Sequence, residues 1–182
     1  IAIVWLDQQD EKINKVSREF ADEIDLLFQQ LEADSDVKAA VIISKKKDWI
    51  AGADIEMFQQ VKQKGDFIDF TRKGHQSLNR LEASKKPVVA AVHGACLGAG
   101  TEIALACHGR IISDDASTHF ALPEVMLGLL PGGGGTQRLP RLIGIQKALD
   151  MLLTGKKIYA HKAKSIGLAD KITTKESLLN GA

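Results

Sequence analysis

Aromatic side chains are scarce in this chain of 182 residues, at 5% of the total. Little is therefore present for stacking nucleic-acid bases. An excess of charge of one sign is also missing. The formal net charge is +1, so no strong field draws in nucleic acid or an anionic membrane. There are only two cysteines, Cys96 and Cys107, which form no disulfide framework and fit no zinc spacing. They read as small buried hydrophobes, and a reducing, cytoplasm-like compartment is expected. No apolar run approaches the roughly 20 residues of a membrane span. Residues 1–7 (IAIVWLD) are apolar, but they are short and lack the basic flank of an export signal. The chain opens directly in this strand-like run without an initiator methionine. A piece excised or processed from a longer polypeptide is expected.

What is present suits one globular domain: 45% apolar and 26% charged residues, with length enough for a sizeable core. Residues 1–7 are expected to form a strand. Val16, Phe20, Ile24, Leu27, Phe28 and Leu31 recur at helical spacing, with Asn14 as the expected cap. Residues 37–44 (VKAAVIIS) and 87–92 (PVVAAV) read as buried strands. A short helix is expected from Asp54 to about Lys64, and a second from Asp66 carrying Phe67, Phe70, Leu78 and Leu81. Residues 101–106 are helix-compatible, residues 110–113 return to strand, and the rest from Gly135 is mainly helical with a last strand near residues 169–172. This alternation implies an α/β fold with parallel pairing. Lys45, Lys46 and Lys47 form a short charge run, read as a solvated turn or as a phosphate contact.

Three segments can carry chemistry. Residues 50–55 (IAGADI) lie between a strand and a helix. Small residues there admit a ligand to the backbone, and the unpaired N–H groups can bind an oxygen gaining negative charge. A plain turn would look the same. Residues 94–102 (GACLGAGTE) follow a strand and open a helix. The spacing is G-x3-G-x-G, not the G-x-G-x-x-G of a dinucleotide loop. Glu102 sits here between glycines and an apolar run. A buried carboxylate needs partners or its pKa rises. Residues 121–138 place Glu124 in an apolar stretch before four consecutive glycines, 132–135. Their flexibility suits close packing against a substrate or another backbone, or a surface turn. No serine lies in a nucleophile-elbow context, and the histidines His75, His93, His108, His119 and His161 show no metal spacing.

Together the strings AGADI (51–55), PVVAAVHGACLGAGTEIALACH (87–108), LPEVMLGLLPGGGGTQRLPRLIG (122–144) and LLTGKKIYAHKAKSIGLADKI (152–172) make the chain resemble the enoyl-CoA hydratase/isomerase, or crotonase, family. It is most similar to the hydratase part of the alpha subunit of fatty-acid β-oxidation multienzymes. The resemblance implies a crotonase-like (ClpP/crotonase) spiral of ββα units over residues 1–182, shortened at its C-terminal end. It implies hydration of a trans-2-enoyl-CoA to a 3-hydroxyacyl-CoA. Glu102 and Glu124 match the two carboxylates that hold one water. Ala53 and Ala99 match the amides of an oxyanion hole. Ala51, Asp54, Ile55, Gly98, Gly100, Pro131 and Gly132 are the implied substrate-binding positions. No metal or redox cofactor is implied, since coenzyme A is part of the substrate.

A homo-oligomer (a trimer or a dimer of trimers) or a place in a β-oxidation complex is also implied, with no nucleic acid and no membrane span, in the cytoplasm. Ala99 departs from the glycine of many members. An ordinary φ and a working N–H donor are expected there. The alternatives are a Δ3-Δ2-enoyl-CoA isomerase, for which one carboxylate suffices, and a non-catalytic acyl-CoA- or RNA-binding relative. A serine protease on the related Clp-type fold fails for lack of a serine in the motif region.

Overall fold

The computed structural model describes residues 1–59 and 64–182. The elements in chain order are β1 (Ala2–Leu6), α1 (Arg18–Ala33), β2 (Ala40–Ser44), α2 (Glu56–Gln59), α3 (Lys64–Ala83), β3 (Val88–Val92), β4 (Ala95–Leu97) and α4 (Ala99–Ala106). They are followed by β5 (Gly109–Ser113), β6 (His119–Ala121), a 3₁₀ helix (Pro123–Leu127), α5 (Gly135–Ile143), α6 (Ile145–Thr154), β7 (Ile158–Tyr159), α7 (Ala160–Ser165), β8 (Lys171–Thr173) and α8 (Leu178–Gly181). The helix expected to run from Asp54 to about Lys64 is described as far as Gln59. Its remaining positions, 60–63, lie outside the described residues.

The main sheet has five parallel strands in the order β1-β2-β3-β5-β8. Its central strands read as unbroken apolar runs because both faces are covered. Ile42, Ala90, Val92 and Ile112 point into the large core with α1, α4 and α6. Val41, Ile43, Ala91 and Ile111 point the other way, where Leu178 of α8 meets them. Cys96 and Cys107 are buried, and burial pushes both thiols up, Cys107 to about 12. Both are therefore neutral packing groups.

A second, smaller sheet joins β4, β6 and β7. Sequence reading missed it, because three-residue strands are too short to show a period. It explains how the motifs meet. Ile50 bridges Cys96, and β4 pairs with β6 in parallel, so Ile50, Cys96 and Phe120 lie side by side. Each follows a strand of the main sheet and precedes a helix, giving three successive strand–strand–helix units. The three motifs leave this small sheet at the same end: residues 51–54 after Ile50, 98–100 after Leu97 and 122–124 after Ala121. Leu97 N donates to Ile50 O (3.0 Å) and Gly98 N to Ala121 O (2.9 Å), locking the three exits together.

The cap of α1 is Ser17, not Asn14. Ser17 Oγ accepts from Phe20 N at 3.2 Å. Asn14 is fully buried and binds three segments instead. Its Nδ2 group lies within donor distance of Leu6 O, Ser44 Oγ and Trp49 O, and its Oδ1 accepts from Gln8 N. Three acceptors for two amide hydrogens make one of these bonds shared.

Candidate active site

Glu102 lies in the first turn of α4 and is 2% exposed. Its Oε1 accepts from Gly133 N (2.8 Å) and Gly135 N (2.7 Å). These amides belong to the glycine run that opens α5, so the carboxylate sits at a helix N-terminus. Burial raises its pKa, while the Gly135 and Gly133 amides and the Arg138 guanidinium pull it down. Gly133 and Gly135 of the run pack directly against this carboxylate. A Cβ on Gly133 would lie 2.8 Å from Glu102 Oε2, and one on Gly135 would lie 3.0 Å from Oε1.

Glu124 lies in the first turn of the 3₁₀ helix. Burial pushes its pKa to about 7. A hydrogen bond from its own backbone lowers it, and the neighbouring Glu102 charge adds to the rise. Its Oε2 is buried with no partner among the described residues. Its Oε1 lies 2.9 Å from where a Cβ on Gly98 would stand. Gly98 has φ 49°, a conformation that favours glycine, and precedes the helix that carries Glu102. The two carboxylates thus flank one turn of backbone.

Both line a cavity of about 660 Å³. Its wall is mostly apolar, with Phe20 and Ile24 from α1, Phe70 and Leu78 from α3, and Ile103 from α4. Of the sequence-predicted positions, Ala51, Ala53, Ile55, Gly98, Ala99, Pro131 and Gly132 line it together with the two glutamates. Asp54 and Gly100 are not among the residues lining it. Asp54 caps α2 through Glu56 N (3.1 Å) and pairs with Lys15 (3.1 Å). Gly100 gives α4 room against Ile50, whose Cβ and O atoms would each be 2.7 Å from an added Cβ. In the lysine run, Lys45 and Lys46 both pair with Asp7.

Two amides on the cavity wall are unspent. Val16 N bonds Gly52 O (2.8 Å) and Asp54 N bonds Val16 O (2.9 Å), so the N–H of Ala53 between them points away from Val16. Ala99 is the first residue of α4, where no intrahelical acceptor exists. Neither N–H has an acceptor among the described residues. Ala99 has an ordinary negative φ. Gly98 before it takes the positive φ.

Sequence reading missed the residues that hold the glycine run. Arg138 reaches back from α5 to Gly133 O (2.9 Å), and also binds Glu82 (2.9 Å) and Asn79 (2.7 Å) of α3. His75 of α3 meets Gly132 O at 2.5 Å. The arginine stands three positions after the last glycine, which was a signal. His75 gave none.

A turning fold of strand–strand–helix units, with paired carboxylates beside two free amides, defines the class of protein, and comparison agrees. The chain belongs to the enoyl-CoA hydratase/isomerase family, whose model matches residues 1–182. Among its relatives, the fatty acid oxidation complex subunit alpha of Shewanella baltica (strain OS185) is 50% identical over 183 residues. That match takes in 100% of this chain and 26% of the relative. The chain therefore spans about a quarter of the length of such relatives. An enoyl-CoA hydratase from Bacillus anthracis superposes with a TM-score of 0.90 at 29% identity, over 98% of this chain and 68% of that one. One from Geobacillus kaustophilus gives 0.92 at 32% identity, over 98% and 67%. These neighbours establish the crotonase-like fold.

Proposed function

We propose that this chain is an enoyl-CoA hydratase domain that adds water across the 2,3 double bond of a trans-2-enoyl-CoA. The observation that carries the reading is the unequal pair of carboxylates on one apolar wall. Glu102 accepts two N–H bonds, which favour its ionised form. Glu124 has an unpartnered buried oxygen and a pKa near neutrality. Glu102 is therefore the base and Glu124 the acid. The thioester oxygen lies between the amides of Ala53 and Ala99, which stabilise the negative charge it gains. Glu102 takes a proton from water as the oxygen bonds to the β-carbon. Glu124 gives its proton to the α-carbon, and the proton on Glu102 then passes to Glu124, which restores the starting state.

The chemistry uses no metal or redox cofactor, and coenzyme A arrives with the substrate. The reading places the reaction in cytoplasmic fatty-acid β-oxidation, within a longer polypeptide or complex. No helix among the described residues is long and apolar enough to cross a membrane. A homo-oligomer, a trimer or a pair of trimers, belongs to the same reading. Leu149 and Leu153 of α6 supply exposed apolar surface for it.

The test is loss of the conjugated absorbance of a short trans-2-enoyl-CoA. The wild type is expected to hydrate it. Glu102→Gln and Glu124→Gln should each slow the reaction by about 10²–10⁴-fold with the fold retained. Wild-type rates in both variants would overturn the assignment. A trans-3-enoyl-CoA separates isomerisation from hydration.

A further inference from the structure

His75 lies outside the motifs, on the side of α3, yet its Nε2 meets the carbonyl of Gly132 at 2.5 Å. That carbonyl shares a peptide unit with the N–H of Gly133, which donates to Glu102 Oε1 at 2.8 Å. A trans peptide is planar, so its C=O and N–H point in opposite directions, and the described residues contain no cis bond. Fixing the carbonyl toward α3 therefore aims the amide at the carboxylate.

The two donors to Glu102 are secured differently. The Gly135 amide shares a peptide unit with Gly134 O, which accepts from Gln137 N and Arg138 N (both 2.9 Å) in the first turn of α5. The Gly133 amide has no such helical anchor. It lies between two glycines, and no atom lies within 4 Å of where a Cβ on Gly132 would stand. Rotation of that peptide is sterically cheap. The imidazole of His75 is its clamp, and Arg138 holds the next carbonyl, Gly133 O, at 2.9 Å.

We propose that His75 is a positioning residue for Glu102, acting through the Gly132–Gly133 peptide unit. It touches no reacting atom. Its role is to keep the second amide aimed at the base, and the hydrogen bond at the carbonyl also polarises the N–H on the other side of the unit. The inference rests on the hydratase reading for its kinetic consequence, but not for its effect on Glu102 itself.

The test compares His75→Leu, which removes the donor, with His75→Gln, which carries a permanent N–H at similar reach. For His75→Leu, kcat is expected to fall about tenfold, the worth of one hydrogen bond, with KM changed less than twofold. Glu102, followed by NMR of ¹³C-labelled glutamate in the unliganded protein, should titrate at higher pH once the Gly133 amide is released. Glu124 and Arg138 are the charged neighbours whose fields remain constant across these variants. His75→Gln should restore both readouts. A wild-type Glu102 titration in His75→Leu overturns the proposal, as does a glutamine variant as slow as the leucine one. Absence of hydration in the wild type would instead count against the functional reading, while the NMR titration still decides the link between His75 and Glu102.

Discussion

Glu102 and Glu124 have the same side chain but different surroundings, and the surroundings set their protonation. With its pKa near 7, Glu124 is protonated on the acid side of neutrality and loses its proton above it. An acid must hold its proton to give it. Hydration should therefore fall as pH rises through about 7, tenfold for each further pH unit. A pH profile of kcat/KM checks this, and a rate flat from pH 6 to 9 would contradict it. The glycines sharpen the point. Gly98→Ala forces a side chain onto a positive φ and into contact with Glu124 Oε1. A displacement on that scale should reduce kcat by roughly a hundredfold. Ala99→Gly should leave kcat within about twofold, because only the main-chain N–H is used there. The reverse ranking would place the strained residue wrongly. Both glutamates were legible in the sequence as carboxylates in apolar stretches. Their division of labour was not, because it depends on amides 31 and 33 positions from Glu102.

At the scale of elements, long runs were easy to read and short ones were not. The runs 37–44 and 87–92 announced β2 and β3 because a strand covered on both faces is apolar throughout. β4, β6 and β7 are two or three residues each, and no period can show in so few. With the Ile50 bridge, β4 and β6 nevertheless bring the three motifs to one edge. Asn14 shows a related limit. Its residue type and place before a helical pattern suggest a cap, and Ser17 three positions later does that work. Asn14 instead ties β1, the end of β2 and the approach to Ile50 into one buried knot. Ala51 N also donates to Asn14 O at 2.8 Å, so the same residue steadies the segment that presents Ala53. Asn14→Ala leaves several buried groups unpaired and should cost about 2–4 kcal/mol. Ser17→Ala removes one cap at about 1 kcal/mol. Urea unfolding of both variants tests the ranking, and a larger loss at Ser17 would reverse the roles.

For the whole molecule, the site is in tension with stability, and pH exposes the tension. Glu124 has a folded-state pKa near 7 against about 4.5 for the exposed side chain, and Glu102 is shifted in the same direction. Between those values the unfolded chain releases protons that the folded protein retains. The folded state binds more protons, so stability must fall as pH rises from about 4.5 to 7. Surface carboxylates act oppositely in a lower window. Asp7 is lowered by its Lys46 bond, Glu19 by its own backbone amide and Asp115 by Ser117. Their contribution is present above the usual carboxylate range and is lost as pH falls below it. Glu124→Gln removes the Glu124 part of the decline, because an amide has no proton to lose. Its stability relative to wild type should rise between pH 4.5 and 7.5, by on the order of 2 kcal/mol once partial exposure is allowed for. Thermal or urea unfolding at several pH values measures the difference. A difference that stays constant with pH would mean that Glu124 titrates in the folded protein as it does in water. Glu124 would then have no raised pKa with which to act as an acid near neutrality.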